Sequence, residues 1–247
     1  MPTPFMHLAL AEEVLQGDEL SRTASSLLHH QRGPFLLGNT APDVQTVSGQ
    51  ARLESHFYTL PRTTGRPAHE TLFATHPSLA RPAELPPAQA AFLAGYITHL
   101  LLDELWLDDI FLRYFSEDWA SRRQRAFIHN VLRTWADRRD RQRLNGTVAP
   151  ALQEAEPQRW LPFVDDDNLR AWRDWLIEQL SPGRKTHTTE VFAQRMGVST
   201  TEMESLLSSP DAMKVQVFCR VDQAALQSFH DDAYAKSTKL VNWYFDQ

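Results

Sequence analysis

Cysteine is nearly absent from this chain: Cys219 stands alone in 247 residues. One cysteine excludes an intramolecular disulfide and a closed zinc site of the thiolate type, and it fits a reducing compartment. Glycine is scarce, at 9 positions, and few segments alternate apolar with polar residues, so sheet is not expected to dominate. A basic excess is also missing. The net charge is −6, which gives no overall pull toward nucleic acid. The opening Met1-Pro2-Thr3-Pro4-Phe5 has no basic region followed by an apolar one. No secretory signal is therefore expected, and a cytoplasmic location is. The longest apolar run, near residues 92–107, is interrupted by Asp103 and Glu104 and reads as too short and too charged to span a membrane.

What the chain does have is long runs rich in Leu, Ala, Gln, Glu and Arg, with hydrophobic content of 42%. They predict an all-α protein, a multi-helix bundle. Helices are expected from Phe5 to Gln16, from Asp18 or Ser21 to about His30, and through the apolar stretch opened by Pro86-Pro87. Further helices are expected over Arg122–Arg143, Asp165–Leu180 (stopped by Pro182-Gly183), 189–196, 200–208 and Asp211–Lys236. Gly33-Pro34 should break the second helix, and the Gly- and Pro-punctuated stretch from Phe35 should end in a turn presenting Asp43. Residues 44–86 read as loop, with prolines at 61, 67, 77, 82 and 86. A boundary near 145–165 would divide a core over residues 1–146 from a helical C-terminal region over 147–247, unless the two form one domain.

The chemistry concentrates in the first half. The stretch Phe92–Trp106 is apolar nearly all round, as a buried helix is, yet carries His99 and Asp103 four residues apart. That spacing places both on one face, one turn apart. A buried carboxylate is costly unless paired or metal-bound. His7 on the first helix, Asp43 after Gly38-Asn39-Thr40-Ala41-Pro42, and His56 before Phe57-Tyr58 complete a set of three imidazoles and two carboxylates. Zinc takes such N and O ligands in catalytic sites that keep a position open for water.

An N-terminal histidine, Gly38-Asn39-x-x-Pro42-Asp43, Ser55-His56-Phe57-Tyr58, then Gly95-Tyr96-x-x-His99-x-x-x-Asp103-x-x-Trp106 resembles the zinc-dependent phospholipase C family and its single-strand nuclease relatives. The resemblance covers roughly residues 5–110. It implies an all-helical fold of that type and hydrolysis of a phosphodiester by metal-activated water. It further implies that Asp43, His56, His99 and Asp103 hold one zinc, that His7 holds a second bridged by Asp103, and that Asp43 doubles as proton acceptor. The secreted enzymes of the family hold a third zinc through two later histidines and a glutamate. Here the next histidine is His129 and Asp109 is the wrong type, so one or two ions are expected.

The leading expectation is thus a zinc-dependent phosphodiester hydrolase, acting on a phospholipid head group or related phosphate ester with peripheral contact to a membrane. The alternatives are a nuclease or phosphatase of the same fold, and a non-catalytic metal-binding or interaction module. His29, His30, His69 and His76 read as loop or helix-end residues, with His76-Pro77 a candidate for the site's mouth. The arginines of 122–143 read as a solvated face. Residues 190–207 resemble a helix-turn-helix, but the second helix carries Glu202 and Glu204 and no cation, so phosphate contact with DNA is not expected. Trp135, Trp160, Trp172 and Trp175 read as packing residues.

Overall fold

The computed structural model describes residues 1–62, 65–181, 183–184 and 186–247. These residues form helices and connecting turns, with no strand among them. The first are α1 (Pro4–Gln16), α2 (Arg22–His30), α3 (Arg32–Gly38), α4 (Gln45–Ser48), α5 (Arg52–His56) and α6 (Ala68–Thr75). Then come the long α7 (Pro87–Leu105), α8 (Arg113–Phe115), α9 (Arg122–Arg143), α10 (Val148–Gln153) and α11 (Asp166–Leu180). The chain closes with α12 (Thr188–Met196), α13 (Thr200–Leu207), α14 (Pro210–Met213) and α15 (Gln223–Phe245).

Helix α7 is the axis of the molecule. Its first turn holds proline, where no backbone donor is lost, and its residues from Ala90 to Leu100 are all buried. Helices α3 and α15 pack along it, while α1 packs on α9. The chain stays helical beyond Leu105 through a wider π turn, Trp106–Leu112, into α8. The whole segment Pro87–Phe115 is long and apolar enough to cross a membrane by length and composition, contrary to the sequence expectation. Yet 89% of its most apolar window is buried against other helices, which is how the core helix of a bundle reads.

Two glycines allow α3 and α7 to approach closely. A Cβ on Gly95 would lie 2.2 Å from the Phe35 carbonyl oxygen, and one on Gly38 would lie 1.9 Å from that of Phe92. The backbones of α3 and α7 therefore touch, and no larger residue fits at either point.

Several elements differ from expectation. Helix α2 ends at His30, as expected, but Gly33-Pro34 is not a break: it sits in the first turn of α3, where proline is tolerated. The loop expected over 44–86 contains α5 and α6. Helix α10 occupies the expected linker. The last helix is interrupted by a π turn at Lys214–Phe218 and restarts at Gln223, capped by Asp222, which accepts from the Ala225 amide at 2.6 Å. The helix stop expected at Pro182 lies outside the described residues, and α11 ends at Leu180. Helices α12 and α13 flank Gly197, whose φ of 62° closes α12, and Ser199 caps α13.

Candidate metal centre

Four elements converge at the buried end of α1, that helix included. That helix supplies His7. The one-turn 3-10 helix Ala41–Val44, which follows α3, supplies Asp43. Helix α5 supplies His56, and α7 supplies His99 and Asp103. All five sequence-predicted residues are brought together. His7, His99 and Asp103 each offer one ligand atom within 4.8 Å of the others, and so do Asp43, His56 and His99. His99 belongs to both triads, whereas the family resemblance made Asp103 the shared residue.

The spacing suits an ion. Ligand atoms about 2.1 Å from a tetrahedral zinc lie roughly 3.4 Å apart. His7 Nε2 is 3.6 Å from Asp103 Oδ1, and His56 Nε2 is 3.6 Å from Asp43 Oδ1 and 3.5 Å from Asp103 Oδ2. His99 Nε2 is 3.9 Å from Asp103 Oδ2. More telling are the atoms left without hydrogen-bond partners: both ring nitrogens of His7, Nε2 of His56 and of His99, and Oδ1 of Asp103. Buried polar atoms are normally satisfied. Here the unsatisfied ones converge on one small volume and are the atoms a cation would bind.

The remaining polar atoms of these residues are fixed from behind. His99 Nδ1 donates to the Asn39 carbonyl at 2.9 Å. His56 Nδ1 lies 3.0 Å from Ser55 Oγ and 3.2 Å from the Arg52 carbonyl. Such bonds fix the tautomer and aim Nε2 at the centre, as in metal-ligating histidines. Ser55 Oγ donates to the Pro42 carbonyl at 2.8 Å, and Tyr96 on α7 donates to the Ser55 carbonyl at 2.5 Å. The Asp43 turn, α5 and α7 are thereby tied into one frame. His7 is held by stacking on His99, with ring centroids 3.8 Å apart.

The electrostatics agree with a ligand role. Burial, with His7 stacked beside it, pulls His99 down to about 3, against the attraction of Asp103 and Asp43. Its imidazole is therefore neutral at pH 7 and keeps a lone pair to give. Burial opposes ionisation of Asp103, but His7, His99, His56 and Arg52 outweigh it and hold the carboxyl well below the usual range. Asp43 is also held low against its burial, by His56 next to it and by the attraction of His99 and His56. Asp43 is the one partly open member: its side chain is 22% exposed, against 1% for Asp103.

Two participants are given no role by the sequence: Arg52, which has no signal of its own, and Tyr58, which closes the Ser55-His56-Phe57-Tyr58 motif. Arg52 Nη2 donates to Asp103 Oδ2 at 2.6 Å and to the Tyr58 hydroxyl at 2.7 Å. Tyr58 in turn donates to Asp103 Oδ2 at 3.2 Å. One oxygen of Asp103 is thus occupied by protein donors and the other faces His7. Glu104 points away, as its helix position predicts. It accepts from the Ala68 amide at 3.1 Å and pairs with Arg62 at 3.0 Å, and burial pushes it up to about 7 against both.

Residues set aside from the site sort as follows. His29 and His30 are exposed and bond their own helix. His69 packs on Trp243, and His76 stacks on Phe163. His129 is buried and accepts from the Trp106 indole at 2.9 Å. Trp160 and Trp172 are core residues, as expected. The reading of the α9 arginines as a solvated face holds only in part. Arg138 pairs with Glu204 and Arg141 caps α11 through the Gln179 carbonyl at 2.7 Å. Arg133 turns inward, its guanidinium 4.2 Å over the Phe192 ring, because the helix rotates one arginine of the series toward α12.

No family model, characterised protein or solved structure matches this chain.

Proposed function

We propose that the protein is a zinc-dependent hydrolase of phosphate esters, with His7, Asp43, His56, His99 and Asp103 as metal ligands. The observation that carries this reading is the convergence of unsatisfied Nε2 and carboxylate oxygen atoms in a cluster closed to solvent except at Asp43. The donor set is nitrogen and oxygen with no sulfur, as in open zinc sites rather than closed structural ones. A zinc ion in such a site supplies Lewis acidity toward phosphoryl oxygens and lowers the pKa of water to about 7.

The chain's own residues provide the rest. Asn39, through its carbonyl, and Ser55 aim the imidazoles. Arg52 and Tyr58 fix one oxygen of Asp103 and leave the other free. Asp43 stands at the open face, held ionised, where a carboxylate can accept a proton from the attacking water. The substrate class comes from the resemblance to the zinc-dependent phospholipases C and rests on analogy of motif order.

The test is a paired measurement on the full chain: zinc content by elemental analysis, and turnover of a panel of phosphomonoesters and phosphodiesters at neutral pH. His99→Ala is expected to remove zinc and turnover together. Turnover that survives with no zinc bound would refute a metal-dependent reaction. Zinc binding without turnover of any ester would leave a binding module in place of an enzyme.

A further inference from the structure

A cleft of about 70 Å³ opens beside Asp43, the one ligand that reaches solvent. Arg133 from α9, Arg195 from α12 and Trp172 from α11 line it, with Asp43 at one side. Arg133 Nε is buried and has no acceptor; its Nη1 donates to Asn130 Oδ1 at 2.9 Å. Trp172 Nε1, on a residue 1% exposed, also has no acceptor. Both groups are donors only. Neither arginine forms an ion pair among the described residues, and the charge of Arg195 is felt by Arg133. Burial lowers Arg133 to about 10, against the attraction of Asp43 and Asp103 and with Arg195 adding to the fall, so it remains a cation at pH 7.

Ionised Asp43 lines the same cleft and attracts Arg133, but the Arg133 Nε and Trp172 Nε1 donors have no acceptor within hydrogen-bonding reach. Leaving buried donors unmade is costly. A tetrahedral oxyanion meets this need, because it accepts from several directions and pairs with a guanidinium. Asp43 would repel such an anion on its own. With its charge neutralised by a metal ion it would not, which joins the cleft to the cluster behind it.

We propose that this cleft binds the phosphoryl group of the substrate, with Arg133, Arg195 and the Trp172 indole as the residues that select phosphate esters over uncharged esters. The proposal rests on the zinc reading of the adjoining cluster. It adds residues from α9, α11 and α12, which gives the C-terminal half a part in recognition.

The test is calorimetric titration of the full chain with inorganic phosphate, before and after zinc loading, with zinc content measured on each sample. Arg195 is exposed, so Arg195→Gln should fold as the parent does. Trp172→Phe keeps an aromatic side chain and removes the donor, with a smaller ring in a buried position, so its fold is checked by its unfolding midpoint. Arg195→Gln is expected to bind phosphate about tenfold more weakly and Trp172→Phe several-fold more weakly, with zinc content unchanged. Wild-type affinity in both variants, with zinc retained, would overturn the cleft and leave the metal site standing. Conversely, a chain that takes up no zinc but loses phosphate on Arg195→Gln overturns the metal reading and keeps the cleft. Displacement of phosphate by glycerol 3-phosphate supports a free ester as the source, and displacement by phosphatidylglycerol vesicles supports a lipid head group. Displacement by neither overturns the proposal.

Discussion

The smallest unit of the account is the orphaned atom. His7, His99 and Asp103 were legible in the sequence because charged and aromatic-nitrogen side chains stand out in apolar helices, and His56 through the Ser55-His56-Phe57-Tyr58 motif of the family the chain resembles. Asp43 was legible because a Gly- and Pro-rich turn presented it. Their supports were not. Arg52 acts through one hydrogen bond to a residue 51 positions away, and no local pattern announces that. Trp172 reads from sequence as any core tryptophan, and its missing acceptor appears only in three dimensions. Tyr58 tests the support directly. Tyr58→Phe removes its bond to Asp103 and should weaken zinc binding by about 10–100-fold, measured by competition with a chelator; unchanged affinity would show that Asp103 needs no orientation. A second residue-scale prediction concerns Asp137, which is buried on α9 and accepts from the Thr188 hydroxyl at 2.6 Å. Burial raises it from 3.8 to about 6, against the hydrogen bonds it receives. A carboxyl raised on folding favours the native state fully below its unfolded value, and that contribution is lost as pH climbs through the folded value. Asp137→Asn should therefore match the parent near pH 4 and exceed it by about 3 kcal/mol at pH 8, read from denaturant midpoints at each pH. A constant difference across that range would refute the assignment.

At the scale of elements, α7 connects fold and site. Long periodic helices were readable: α7, α9 and α11 begin and end within a residue or two of their sequence expectation. Short helices between prolines were not, since α5, α6 and α10 have too few turns to show a 3.6-residue period. Their stability comes from packing rather than propensity. The contact of α3 with α7 is more demanding than the rest, because two backbones meet through Gly38 and Gly95. Asn39, at the end of α3, then holds His99. Gly95→Ala should force the helices apart. It is expected to lower stability by about 1–3 kcal/mol in a denaturant titration and to weaken zinc binding through Asn39. Loss of stability with zinc affinity intact would show that the helix contact and the ligand frame are independent.

For the whole molecule, the histidine–aspartate cluster is a point where distant parts of the chain are pinned together. Its ligands run from residue 7 to residue 103, and the cleft beside it draws on residues as far as 195. A ligand that binds the folded chain alone stabilises it by mass action, about 2.7 kcal/mol when present at a hundred times its dissociation constant. Zinc should therefore raise the unfolding temperature and a chelator should lower it, in a scan at fixed protein concentration. The sequence reading divided the chain near residue 146 unless the two parts form one domain; across that position α12 packs on α9 and α15 on α7. The most direct test of the central claim is zinc counted by elemental analysis after dialysis against the metal and then against buffer. The account predicts one or two equivalents in the parent chain, released by a chelator and absent from His99→Ala. Parent chain that emerges with no zinc, and unfolds at the same temperature with and without it, would contradict the metal centre.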